Sequence, residues 1–193
     1  MKLLYIDDEL NSFVEDYLEV FCNEKGITYQ EYEFDSNEDT YESVLQKDEI
    51  KESDILIIDS MLFENASLNK FTGEELTLLI KKIYPFKIII IISKNIAETE
   101  LQILPKYNSR NGGSATQFYD EHWKTCLEKS IDEMKKYLKI RKKIERNENI
   151  DNYLKTMINQ SFDGVTQYDS LRSSDITECI QKFEEIRALF QNE

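Results

Sequence analysis

The sequence is poor in the residues that build disulfide-bonded, zinc-binding and fibrous proteins. Its 193 residues include three cysteines, two prolines, five glycines and one histidine. The cysteines Cys22, Cys126 and Cys179 lie far apart and form no C-x-x-C pair, so neither a disulfide framework nor a zinc site is indicated. With 40% hydrophobic and 32% charged residues, the composition indicates a folded, helix-rich globular protein.

Long apolar runs and positive charge are also scarce. The longest apolar run, residues 88–92, is far shorter than the ~20 residues that a membrane-spanning helix needs, and the chain opens on a short strand-like segment rather than a secretion signal. The formal net charge of −14 disfavours nucleic acid as a partner, because its phosphates repel an acidic surface. We expect a soluble, cytoplasmic protein with no membrane partner.

Hydrophobic spacing predicts that strands and helices alternate along the first half of the chain. Residues 3–6 form an aliphatic run that predicts a strand, and residues 12–22 place apolar side chains at helical spacing. Gly26 is typical of the end of that helix, and residues 27–34 predict a second strand. A helix is expected around Tyr41 in the polar segment that follows.

Two continuous aliphatic runs, residues 54–59 and 87–93, are the clearest strand signals. Strands that are apolar on both faces belong to the centre of a parallel sheet with helices on each side. Between them, residues 73–83 have one apolar helical face, which predicts a right-handed strand-helix-strand crossover. The fold class expected is α/β, a doubly wound parallel sheet, in which ligands bind at the carboxyl ends of the strands.

Polar residues end three of these predicted strands, namely Asp7 with Asp8, Asp59, and Ser93. Carboxylates at neighbouring strand ends can hold Mg²⁺, a hard cation that prefers oxygen ligands. Such an arrangement favours phosphoryl transfer to Asp59, with the Ser93 hydroxyl and a lysine ammonium holding the other phosphoryl oxygens. The pattern therefore predicts a magnesium-dependent aspartyl phosphate.

These residues also resemble a known family, the receiver domains of two-component response regulators. The resemblance is carried by residues 6–9 (Ile-Asp-Asp-Glu), by Asp59 with Met61 two residues later, by Gly73 opening a helix, and by Ser93 closing a run of isoleucines. It covers about residues 1–106 and implies a flavodoxin-like or CheY-like fold.

The resemblance implies a role for each of these positions. Asp7 and Asp8 would bind Mg²⁺ together with Asp59 and the backbone carbonyl of Met61. Asp59 would accept a phosphoryl group from a histidine kinase or another phosphodonor protein, and Ser93 would sense it.

The lysine that contacts phosphate departs from the family pattern. Receiver domains end strand five with Lys followed by Pro, whereas here Pro105 precedes Lys106. About a dozen residues separate Ser93 from Lys106, too few for the usual intervening helix and both its loops. We take Lys106 as the phosphate-contacting lysine, with Lys94 as its rival.

The rest of the chain reads as helical. Residues 115–146 are expected to be mostly helix, and Leu127, Ile131, Met134 and Leu138 recur on a face that should pack on the sheet and then on the tail helices. Residues 147–193 predict two further helices. We divide the chain into a receiver-like domain, residues 1–123, and an all-helical extension, residues 124–193, that could support a homodimer or bind a downstream protein.

Three functions are consistent with the sequence. The first is a stand-alone receiver that acts as a phosphorelay, a phosphate sink or a phosphorylation-switched interaction protein, with no enzymatic activity beyond its own phosphorylation and dephosphorylation. The second is an unswitched interaction module that has kept the receiver fold. The third is a magnesium-dependent phosphatase with an aspartate nucleophile, which is disfavoured because the acids after strand one are adjacent rather than spaced D-x-D, and no cap domain is evident.

Overall fold

The computed structural model describes residues 1–35, 38–62, 72–94 and 101–164. Five strands in these ranges form one parallel sheet in the order β2-β1-β3-β4-β5. The strands are β1 (Lys2–Asp7), β2 (Thr28–Glu33), β3 (Ile55–Asp59), β4 (Ile88–Ser93) and β5 (Ile103–Pro105). This is the strand order of flavodoxin-like doubly wound sheets. The predicted fold class is confirmed.

Helices cover both faces of the sheet. They are α1 (Ser12–Lys25), α2 (Tyr41–Gln46), α3 (Asp48–Glu52), α4 (Gly73–Ile83), α5 (Ala115–His122), α6 (Lys124–Arg146) and α7 (Asn152–Asp163). One buried layer joins the sheet to α1, α5 and α6, and a second joins it to α2, α3 and α4. The sheet is therefore the middle of three layers, as the two-sided apolar runs predicted.

The central strands owe their position to side chains that are apolar on both faces. All five residues of β3 and all six of β4 are buried, whereas the polar edge strand β2 is exposed or half-buried throughout. Burying each isoleucine side chain stabilises the fold by about 1.5–3 kcal/mol. The hydrophobic effect thus selects β3 and β4 for the centre of the sheet.

Local signals set the ends of the helices next to the site. The Asn11 side chain caps α1 by accepting from the Phe13 N–H at 3.1 Å, and Gly26 ends it at a φ of 66°. A capping box between Thr72 and Glu75 begins α4. The helix α1 thus ends where the sequence predicted, directly before Gly26.

The helical segment predicted over residues 115–146 is divided at Trp123. The indole is fully buried and its N–H donates to the Pro105 carbonyl at 2.8 Å, which fixes the junction between α5 and α6 against β5. Leu127, Ile131 and Met134 of α6 are buried in the same layer, as predicted, and Leu138 is half-buried against it.

The extension continues as α7, the first of its two predicted helices. The second, predicted through Ile176 and Phe183, lies outside the described residues, as do residues 95–100 between Ser93 and Lys106. Among the described helices none is long and apolar enough to cross a membrane. The domain boundary at residue 123 stays a prediction.

Candidate functional site at the carboxyl edge of the sheet

Three carboxylates converge where β1 and β3 end. Asp7, Asp8 and Asp59 each offer an oxygen, and these oxygens all lie within 4.8 Å of one another. The parallel register pairs Ile6 with Ile58, which brings the next residue of each strand, Asp7 and Asp59, side by side. Asp7 and Asp59 are 1% and 6% exposed, and Asp8 is half-buried. The sequence prediction that these acids meet is confirmed by their positions.

Lys106 lies between two of these carboxylates. Its Nζ is 2.8 Å from Asp7 Oδ2 and 2.8 Å from Asp59 Oδ1. The backbone N–H of Lys106 donates to the Ser93 carbonyl at 2.9 Å, which continues the pairing of β5 with β4 and aims the side chain across the sheet end. Of the two candidate lysines, Lys106 is therefore the one that bridges the acids, while Lys94 lies on the wall of the same cavity.

Backbone and side-chain donors hold the two buried carboxylates. Asp59 Oδ2 accepts from the Met61 N–H at 3.1 Å, and Asp7 Oδ1 accepts from the Glu9 N–H at 3.3 Å. Asp7 Oδ2 also accepts from the Tyr5 hydroxyl. Sequence reasoning missed Tyr5, although side chains two residues apart on a strand share a face.

Negative charge is incompletely balanced at this site. Burial first, and then the charge of Asp7, raises the pKa of Asp59, and Lys106 offsets this only in part. The same two causes raise the pKa of Asp8 to about 6. Burial disfavours the charged form of Lys106, but the Asp59 and Asp7 carboxylates outweigh it and raise the pKa of Lys106. A cation at the site would relieve the repulsion between the acids.

The donor set fits a hard divalent cation. Among the described residues, Lys106 is the one cation in ion-pair contact with Asp7 or Asp59, so three carboxylates face one ammonium. Carboxylate oxygens are the ligands that Mg²⁺ takes in proteins, usually together with several waters. The site has both the charge and the atoms that Mg²⁺ requires.

Gly73 lets α4 approach the end of β3. A Cβ atom at this position would lie 2.0 Å from the Asp59 carbonyl oxygen, closer than any side chain allows. The Gly73 N–H donates to the Ser60 carbonyl at 2.9 Å. The glycine that the sequence placed at the start of this helix is thus required by the backbone next to Asp59.

A cavity of about 420 Å³ opens over the carboxylates. The predicted site residues all line it: Asp7, Asp8, Asp59, Met61, Ser93, Lys94 and Lys106. Ser93 is buried at the end of β4. The structure thus gathers every predicted site residue in one place, while the role of each of them stays a prediction.

Comparison with known proteins gives only distant structural likeness. No protein-family model matches the sequence, and no curated protein matches it. The chain is similar to RcsB from Salmonella enterica serovar Typhimurium, solved bound to promoter rprA in the presence of phosphomimetic BeF3⁻. The identity is 16%, 70% of this chain and 98% of that chain are covered, and the TM-score is 0.43.

A second solved structure is similar to a comparable degree. It is the two component transcriptional regulator AraC from Clostridium phytofermentans ISDg, at 19% identity and a TM-score of 0.44, with 72% of this chain and 97% of that chain covered. The strand order and the acids at the carboxyl edge of the sheet agree with the family that the sequence resembles. The chain has a doubly wound, flavodoxin-like parallel sheet, a fold that receiver domains share, followed by a helical extension.

Proposed function

We propose that this protein is a stand-alone receiver that accepts a phosphoryl group on Asp59 in the presence of Mg²⁺. The observation that carries the proposal is the meeting of Asp7, Asp8 and Asp59, with the Lys106 ammonium between Asp7 and Asp59. An ordinary solvated acidic loop would not bury two carboxylates, because burying a charge is costly unless it is paired.

The metal would be held by Asp7, Asp8, Asp59 and the backbone carbonyl of Met61. When bound, Mg²⁺ neutralises the charge between a carboxylate and an approaching phosphoryl group. The Met61 N–H, which donates to Asp59 Oδ2, fixes the orientation of the phosphoacceptor. This contact supports the proposal, because an acceptor carboxylate must be held in one orientation.

The transfer itself forms one bond and breaks one. A carboxylate oxygen of Asp59 bonds to phosphorus, the bond from phosphorus to the donor group breaks, and the donor leaves with that electron pair. Lys106 Nζ and the Ser93 hydroxyl would hold the remaining phosphoryl oxygens as their charge is redistributed. The product is an aspartyl phosphate.

The phosphorylated chain would act as a relay, a phosphate sink or a switched interaction protein. Its donor would be a histidine kinase or another phosphodonor protein, and its extension would bind a downstream protein or a second copy. We propose no enzymatic activity beyond the gain and loss of its own phosphoryl group. The net charge of −14 continues to disfavour nucleic acid as a partner.

Intact-protein mass tests this proposal. The chain is incubated with a small-molecule phosphodonor with and without Mg²⁺, in parallel with Asp59→Asn, which keeps the shape of the side chain and an acceptor for the Met61 N–H. We expect the native chain to gain one phosphoryl group only with Mg²⁺, and the variant to gain none. A folded native chain that gains none would favour the unswitched interaction module.

A further inference from the structure

Tyr5 is an unusual residue for its position in the sheet. It lies in the middle of β1 and is fully buried, among central strands whose other buried residues are aliphatic apart from the polar residues that end them. A leucine or isoleucine would fill the layer between the sheet and α1, whereas a buried phenol needs a partner for its hydroxyl. A tyrosine at this position is therefore explained only if its hydroxyl has a hydrogen-bond partner.

The hydrogen-bond partner of the Tyr5 hydroxyl is Asp7, two residues further along the strand. The Tyr5 hydroxyl donates to Asp7 Oδ2, the same oxygen that lies 2.8 Å from Lys106 Nζ. The other oxygen of Asp7 accepts from the Glu9 N–H at 3.3 Å. Three donors thus hold the Asp7 carboxylate: the Tyr5 hydroxyl, the Lys106 ammonium and the Glu9 N–H.

The ring makes Tyr5 a rigid support. It belongs to the buried layer formed by the sheet with α1, α5 and α6, where close packing holds side chains in single rotamers. Two side-chain torsions place the hydroxyl, so a packed ring leaves it little freedom. Asp7 in turn shares Lys106 with Asp59, whose Oδ1 is 2.8 Å from the same ammonium. A path of direct contacts thus runs from Tyr5 through Asp7 and Lys106 to Asp59.

We propose that Tyr5 is a positioning residue for the phosphoacceptor site, holding Asp7, and through it Lys106, in the arrangement that binds Mg²⁺ and loads Asp59. This inference rests on the proposed function and deepens it. Hydrogen bonds that orient metal-binding carboxylates change metal affinity or activity by about 10- to 100-fold when they are removed.

The test is Tyr5→Phe, which removes the hydroxyl and keeps the ring. The matched control is Tyr17→Phe, in the same buried layer, whose hydroxyl contacts Asp120 at 3.4 Å instead. Two quantities are measured: the Mg²⁺ affinity by calorimetry, and the rate at which Asp59 is phosphorylated at saturating Mg²⁺ and donor. We expect Tyr5→Phe to lower each about tenfold and Tyr17→Phe to leave both near native.

A double-mutant cycle separates positioning from a general loss of packing. If Tyr5 acts through Asp7, Tyr5→Phe changes Mg²⁺ affinity much less in an Asp7→Asn background than in the native chain, because the two residues share one interaction. Equal effects in both backgrounds would overturn the proposal. So would native behaviour of Tyr5→Phe, or an equal loss in Tyr17→Phe.

The two readouts also distinguish this inference from the proposed function. A native chain that binds Mg²⁺ but takes no phosphoryl group would contradict the proposed function, while the calorimetry would still decide the role of Tyr5. A native chain that takes the phosphoryl group, together with a Tyr5→Phe variant that is unchanged in both quantities, would overturn the role of Tyr5 alone. A native chain that does neither would overturn both.

Discussion

The two ends of the sheet treat buried charge in opposite ways. At the carboxyl end, three carboxylates meet one ammonium. At the amino end, Lys87 is buried and its Nζ donates to the carbonyls of Lys51, at 2.9 Å, and Ser53, with the Tyr84 ring 4.8 Å away. The amino end satisfies its charge with the protein's own atoms, whereas at the carboxyl end Lys106 offsets the negative charge only in part.

The pKa shifts at the two ends of the sheet differ in the same way. Burial lowers the pKa of Lys87 to about 8, although the carboxylates of Asp54 and Asp163 oppose the shift. Burial and the neighbouring Asp7 raise the pKa of Asp8 to about 6. At the amino end a single buried charge, that of Lys87, has a structural role. At the carboxyl end several acids lie together, and we propose that the chemistry occurs there.

The largest effect is expected from Lys106→Met. Removing a positioned cation that stabilises developing charge slows such reactions by about 100-fold or more, so phosphorylation of Asp59 should slow by that amount. Mg²⁺ should bind more tightly, because the variant leaves three carboxylates without their ammonium. Phosphorylation rates and calorimetry check the two outcomes.

Lys94→Met is the matched control for this variant, since Lys94 lines the same cavity without bridging the acids. We expect near-native rates from it. The opposite pattern, with Lys94→Met slow and Lys106→Met near native, would make Lys94 the phosphate-contacting lysine.

A smaller effect is expected at the amino end. Because the pKa of Lys87 is lower in the folded protein than in the unfolded chain, the unfolded chain binds more protons between pH 8 and 10.5. As pH rises through that window, Lys87 therefore increases the free energy of unfolding, by about 3 kcal/mol at most. Urea unfolding at pH 8 and pH 10 should show this gain in the native chain relative to Lys87→Met. Equal pH dependence in the two proteins would contradict the assignment.

The smallest effect concerns the docking of α7. Phe162 stacks on Phe86 with ring centroids 4.0 Å apart, and Asp163 forms two 2.9 Å hydrogen bonds with Arg141. We expect Phe162→Ala to lower the free energy of unfolding by about 1 kcal/mol and to speed hydrogen exchange in α7, because the stacked pair is lost. Phosphorylation of Asp59, at the other end of the sheet, should not change.

Tyr153→Ala is the control on the same helix, because its side chain is 73% exposed. It should leave hydrogen exchange in the second half of α7 near native. If Phe162→Ala behaved in the same way, α7 would not depend on the contact with Phe86.

The sequence predicted whatever depends on local pattern. The bounds of α4 and the positions of β3 and β4 follow from apolar spacing, and the meeting of Asp7 with Asp59 follows from strand ends in a parallel sheet. The short helix α3 was missed, because its five residues bury only Ile50 and so show no periodicity.

What the sequence could not predict depends on contacts between distant segments. Lys106 reaches Asp7 across 99 positions, and Lys87 reaches two carbonyls more than 30 positions away. These contacts exist only once the strand order and register are fixed. The contact of Tyr5 with Asp7 was missed for a different reason, because a tyrosine in a strand is an ordinary β-forming residue until its hydroxyl partner is known.

The proposed function requires that Asp59 itself carries the phosphoryl group, so the position of that group on the chain must be determined. Borohydride reduces an aspartyl phosphate to homoserine, and tandem mass spectrometry of the digested protein then locates the altered residue. We expect homoserine at position 59 after incubation with phosphodonor and Mg²⁺, and none without Mg²⁺. Homoserine at Asp7 or Asp8 instead, or at no position in a folded protein, would contradict it.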